Sequence, residues 1–141
     1  MRILIVTTPV APLGHGSTGG VSLQLANMVK ALAMHQIDVL AMPGSKKIDG
    51  AHLIEVDGTP QPSLASFPLK DAYPIPENAV IGTFWQQAHQ RQSDYDIILN
   101  VAHDWLPYYI SPFFTTPVLH MVNMGDVNRS TTHVISQHVA H

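Results

Sequence analysis

Ile3-Leu4-Ile5-Val6, then Pro9, then Gly14-His15-Gly16-Ser17-Thr18-Gly19-Gly20, then Val21–Met34: this succession decides the fold. The first run, within a strand expected over Arg2–Thr8, is apolar and does not alternate. That is the mark of a strand buried on both faces of a parallel sheet. Val21, Leu25, Met28, Val29 and Leu32 recur at helical spacing and form one face of an amphipathic helix. Between the two, four glycines in seven residues free the backbone and leave no side chains to hold a ligand away. A strand, a Gly-rich turn and a helix start in that order place main-chain N–H groups where an anion can meet them. No Asp or Glu precedes Asp38, so no carboxylate of the chain's own neutralises the positive end of the helix. Two glycines in a first turn cost the helix roughly 1 kcal/mol each, which a ligand-binding role explains. The same stretch also reads as a flexible turn capped by Ser17 or Thr18.

Working outward, Ile37–Ala41 reads as a second strand closed by Pro43-Gly44, and Leu53–Val56 as a third near an edge. The link between the first two strands is then a strand-helix-strand crossover. Asp57–Pro76 holds prolines 60, 62, 68, 74 and 76 and excludes a regular element. A connection of that length is either functional or a surface excursion. Asn78–Gln92 has a helical face, Tyr95–Val101 a fourth strand, Asp104–Ile110 a short helix and Pro117–Val122 a fifth strand, with a helix from Val127. Strands alternating with helices define an α/β chain with a Rossmann-like, doubly wound parallel sheet. Ligands of such sheets bind outside the carboxyl ends of the strands, at the switch point. Gly14–Gly20, His103-Asp104-Trp105 and Asn123–Asp126 all fall at those ends.

At 141 residues the chain is one domain's worth. With 12% charged residues and a net charge of -3, it has no electrostatic footprint for nucleic acid or an anionic membrane. It has no cysteine, hence neither disulfide nor thiolate metal site, which suits the cytoplasm. Its apolar N-terminal run is too short for a signal peptide, and nothing approaches the ~20 apolar residues of a membrane span.

Gly14-x-Gly16-x-x-Gly19 matches the dinucleotide fingerprint literally, but the supporting features are missing. Pro9–Leu13 intervenes after the strand, and the second strand ends in Ala41-Met42-Pro43 without an acidic residue. No Gly-Lys-Ser/Thr follows the glycines, so a phosphate-binding loop of that kind is excluded. Among nine histidines, His133, His138 and His141 lack the i, i+4 spacing of a helical zinc site, so no metal is expected. There is no nucleophile elbow. His103 and Asp104 are the polar candidates for chemistry, a His at a strand end being able to exchange a proton near neutral pH. Asp104 equally reads as a cap for the helix that follows, and Trp105 as a stacking face or as core.

Ile3–Val6, Pro9, Gly19-Gly20-Val21 opening a helix, and His103-Asp104-Trp105 together resemble the N-terminal domain of the group 1 (family 4) retaining glycosyltransferases. The likeness spans the whole chain. The string Thr8–Gly14, with Asp94-Tyr95-Asp96 and Asp104-Trp105-Leu106-Pro107, is most similar to the UDP-glucose:tetrahydrobiopterin glucosyltransferases within that family. The resemblance implies a two-domain GT-B enzyme of which residues 1–141 are the acceptor-side half, cut short and lacking its C-terminal donor-binding domain. The implied reaction moves a hexose, with UDP-glucose as donor, to the hydroxyl of a small-molecule acceptor with retention and no cofactor. By the same resemblance Gly19 and Gly20 face the donor phosphates, His103 and Asp104 act in the cleft, and Gly16, Trp105, Asn123 and Asp126 line it. A pterin acceptor would suit a cleft lined by Trp85, Trp105, Tyr108 and Tyr109. The chain departs from the family where Asn123 stands in place of a His that contacts the sugar; Asn hydrogen-bonds but exchanges no proton near neutral pH. The alternative is a free-standing module that binds a small anion without chemistry.

Overall fold

The computed structural model describes residues 1–15, 19–63, 74–122 and 129–138. In chain order these form β1 (Arg2–Val6), α1 (Gly19–Ala31), β2 (Gln36–Ala41), β3 (His52–Glu55), α2 (Val80–Arg91), β4 (Ile97–Asn100), α3 (Leu106–Ile110), β5 (Val118–His120) and α4 (Arg129–His138). The strands make one sheet in the order β3-β2-β1-β4-β5, every neighbouring pair parallel. The chain is therefore α/β with a five-stranded, all-parallel sheet. β3 lies at an edge, as its sequence implied. Among the described residues no helix is long and apolar enough to cross a membrane.

The missing alternation in β1 has a direct cause: Ile3, Leu4, Ile5 and Val6 are all buried. Leu4 and Val6, with Leu40 and Ile98, pack against Val80, Ile81, Phe84, Trp85 and Ala88 of α2. Ile3 and Ile5, with Val39 and Leu99, pack against Leu25 and Val29 of α1. Successive residues of a strand point to opposite faces, so one apolar run feeds two cores and the two helices cover opposite faces. Each fully buried aliphatic side chain contributes about 1.5–3 kcal/mol.

The amino edge of the sheet is tied by polar groups. The Tyr95 hydroxyl donates to Asp38 Oδ2 at 2.7 Å, and His52 Nδ1 lies 3.2 Å from Asp38 Oδ1. Asp38 thus joins the starts of β2, β3 and β4, far from any ribose-binding position at a strand's carboxyl end. Burial, and then the bond to Asp38, push the Tyr95 hydroxyl well above its ordinary range.

The proline-rich connection is pinched at its neck. Thr59 N–H donates to Asn78 O at 2.7 Å, and Val80 N–H donates to Thr59 O at 3.0 Å. A bridge between Thr59 and Ala79 results, and it satisfies the first amide of α2, which has no side-chain cap. Gly58 permits the close approach, since a Cβ there would stand 2.6 Å from Val80 Cα. Gly58→Ala is expected to destabilise the chain by about 1–3 kcal/mol, as overpacking against backbone does, measured by urea unfolding. A change near zero would show that the neck yields freely.

Candidate functional site

At the carboxyl edge, β1 and β4 are neighbours, and the chain leaves them toward opposite sides of the sheet, to β2 and to β5. That makes the β1/β4 boundary the switch point. Thr7 continues β1 and donates its hydroxyl to Leu40 O at 2.7 Å, tying β1 to β2. The turn that follows is partly committed. Leu13 N–H donates to Ser45 Oγ at 2.9 Å, and Lys46 N–H donates to Leu13 O at 2.9 Å. Gly14, at φ 78°, donates its N–H to Ser22 Oγ at 2.7 Å. The first half of the Gly-rich turn is thus fastened to α1 and to the β2–β3 connection, and Gly14 has no amide to offer a ligand.

The second half differs. Gly19 and Gly20 open α1, whose first turn carries no acidic residue. Gly20 is exposed, and a Cβ there would meet nothing within 4 Å. On the side of Gly20 the first turn thus carries neither a carboxylate nor a neighbour within reach of an added Cβ, while residues 16–18, which lead into it, lie outside the described residues. Gly16, expected to line the cleft, lies outside the described residues, as do Asn123 and Asp126.

Beyond β4 the polar residues concentrate. Asn100 is buried, its Oδ1 accepting Ala102 N–H at 3.1 Å and its Nδ2 standing 3.0 Å from His120 Nδ1 at the end of β5. The His120 ring stacks on Tyr108 of α3, centroids 4.3 Å apart. With the amide nitrogen of Asn100 as donor, His120 accepts at Nδ1 and carries its proton on Nε2. His103 is half-buried, and burial lowers its pKa, so it is neutral at pH 7. Trp105 is half-buried and makes an edge contact with Tyr109, centroids 5.8 Å apart.

Asp104 is 1% exposed, and its Oδ1 accepts Leu106 N–H at 3.2 Å, so the carboxyl braces the start of α3. Burial pushes its pKa up from 3.8 to about 6, against the opposing pull of bonds from Leu106, Trp105 and Gln61. Its Oδ2 is buried with no hydrogen-bond partner among the described residues. Gln61, 3% exposed, donates its backbone N–H to Pro9 O at 2.8 Å and lays its side chain on Asp104. The segment leaving β3 therefore crosses from the exit of β1 to the exit of β4.

His103, Asp104 and Trp105 stand together as their adjacency required. Gln61, Asn100 and His120 lie at the same strand ends and were not singled out from sequence; Tyr108 was named with Trp85, Trp105 and Tyr109 as an aromatic cleft wall, whereas Trp85 is buried in the core beneath α2. Asn100 and His120 each end an apolar strand with a polar residue, which is a readable signal; Gln61 offers none. Among the described residues no group of three or more His, Asp or Glu could hold a metal ion. His133 is exposed on α4, and His141 lies outside the described residues. No protein-family model matches the chain, and no curated protein matches it.

Proposed function

We propose that this chain is the acceptor-side domain of a two-domain, retaining glycosyltransferase that uses a nucleotide-diphosphate sugar. The observation that carries the proposal is the first turn of α1, the helix next after β1 in chain order: Gly20 is exposed there and no carboxylate stands in it. The departing diphosphate develops negative charge, and preorganised N–H groups with the aligned helix dipole stabilise it without reorganising. His103, neutral and half-exposed at the neighbouring strand end, hydrogen-bonds the acceptor hydroxyl, and Asp104 braces the turn that presents it. A second domain grips the donor across the cleft, so this domain alone binds without turnover. UDP-glucose is the donor that the sequence resemblance favours.

The test is Gly20→Asp. A side chain there meets no neighbour, and an acidic first turn favours the helix by about 0.3–1 kcal/mol, so the variant is expected to fold at least as well. Added UDP-glucose is expected to move the amide NMR signals of Gly19, Gly20 and Val21 in the native chain and to leave those of positions 19–21 unmoved in the variant. Unmoved signals in the native chain at millimolar UDP-glucose would overturn the phosphate role. A donor and acceptor panel on a longer protein containing this chain separates transferase from binding module, since only the former yields a glycosylated product.

A further inference from the structure

We infer that the groove between α1 and the β2–β3 connection binds a phosphomonoester, a small organic molecule that carries a phosphate dianion on an apolar or ring-shaped body. The inference does not rest on the glycosyltransferase reading and concerns a different surface, the flank of α1 beyond its first turn.

The groove exists because a helix is missing. Parallel neighbours such as β2 and β3 are usually joined by a helix that covers the sheet. Residues 42–51 contain none, and the chain runs from the end of β2 to the start of β3 as turns and extended backbone. Ile48 of this link is buried in the same core as Leu25 and Val29 of α1. Beside α1 this leaves a groove of about 810 Å³, floored by the buried side chains of Leu13, Val29 and Ile48. Small-molecule sites span roughly 300–1,000 Å³, so the size fits one.

Its charge runs against that of the chain. The net charge is -3, yet three of the seven Lys and Arg residues line this groove: Lys30 on α1, and Lys46 and Lys47 on the link. A single carboxylate, Asp49, lines it with them. Among the described residues none of the three ammonium groups makes an ion pair or a hydrogen bond. Glu55, which borders a neighbouring hollow with Lys47, accepts Gly44 N–H at 3.3 Å. Lys46 is also held in place. Its N–H bonds Leu13 O, and its stem lies so near Gly14 that a Cβ there would stand 2.5 Å from Lys46 Cδ.

Three ammonium groups against one carboxylate leave a surplus of two positive charges above an apolar floor. A phosphomonoester carries about −1.5 to −2 at pH 7 and matches that surplus, whereas a carboxylic acid leaves half of it unmatched. Its oxygens accept from the lysines, its carbon skeleton lies on the floor, and the exposed amide of Asn27 is at hand for a hydroxyl.

Titration of the full chain with phenyl phosphate, followed by amide NMR, tests the site. Saturable shifts are expected at Asn27, Lys30, Lys47 and Gly50. Inorganic phosphate is expected to bind about fivefold more weakly, since it leaves the apolar floor unused. Lys30→Gln and Lys47→Gln, one on α1 and one on the link, are each expected to weaken phenyl phosphate about three- to fivefold, the worth of one exposed charge contact. Arg91→Gln removes the same charge on α2 and is expected to change nothing. Ala26→Leu keeps every charge, suits a helix and fills the groove, so it is expected to abolish the shifts. No saturable shift in the native chain at millimolar phenyl phosphate, or shifts confined to Gly19–Val21, would overturn the site. Equal weakening by Arg91→Gln, or undiminished binding in Ala26→Leu, makes the effect one of diffuse charge and sinks the inference as well. Because UDP-glucose is read at positions 19–21 and phenyl phosphate along the groove, either reading can fail without the other.

Discussion

Asp104→Asn is expected to stabilise the chain at pH 7.5 by about 2–3 kcal/mol, a large fraction of the stability of an ordinary domain. The folded carboxyl holds its proton up to about pH 6, whereas an unfolded one releases it near 3.8. The folded state thus binds more protons between these values, and stability falls as pH rises through the window. At about 1.4 kcal/mol per unit, the gap between variant and native chain opens from about pH 4 to pH 6 and stays level above. Asn keeps the acceptor for Leu106 N–H and carries no charge, so the loss disappears. Urea unfolding of both proteins across this range measures the gap; a variant less stable than the native chain at pH 7.5 would refute the account. A buried carboxylate that folding disfavours is a candidate for a functional role. Under the proposed function the same substitution therefore lowers transfer while raising stability.

Phe84→Ala carries the opposite sign. Phe84 is fully buried on α2, between the even-numbered side chains of the strands and Trp85. Truncating a buried aromatic removes its transfer free energy and leaves a cavity, together about 3–5 kcal/mol. Leu23→Ala, on the outward face of α1 at 66% exposure, is expected to change stability by under about 0.5 kcal/mol. Denaturant midpoints at constant slope read both values. A loss below about 1 kcal/mol at Phe84 would mean that α2 does not form one wall of the core.

The strands and helices were legible because their signals are local. An unbroken apolar run at Ile3–Val6, helical spacing from Leu25 to Val29 and apolar residues at Val80, Ile81, Phe84 and Ala88 each record burial within a few residues of chain. Most of the site was not legible, for the opposite reason. Gln61 is held by Pro9 and Asp104, and Asn100 meets His120 twenty residues away, so no short window carries their pattern. The Gly-rich turn shows the limit from another side. Its composition announced backbone freedom, but only the fold reveals that Gly14 gives its amide to Ser22 while Gly20 stands open. For Asp104 the sequence offered chemistry or a cap; the cap position of α3 falls on Trp105, and Asp104, one residue earlier, braces the helix by accepting Leu106 N–H without excluding the chemistry.

The Thr59–Ala79 bridge has a consequence for how this domain tolerates change. Because the two sides of the long connection already meet there, chain added between Thr59 and Ala79 is closed by a contact that exists without it. Doubling a flexible insert adds only about 0.6 kcal/mol of closure entropy. A reporter or an added recognition segment grafted between those two residues is therefore expected to leave both cores in shape, since the bridge holds the exit of β3 against the start of α2.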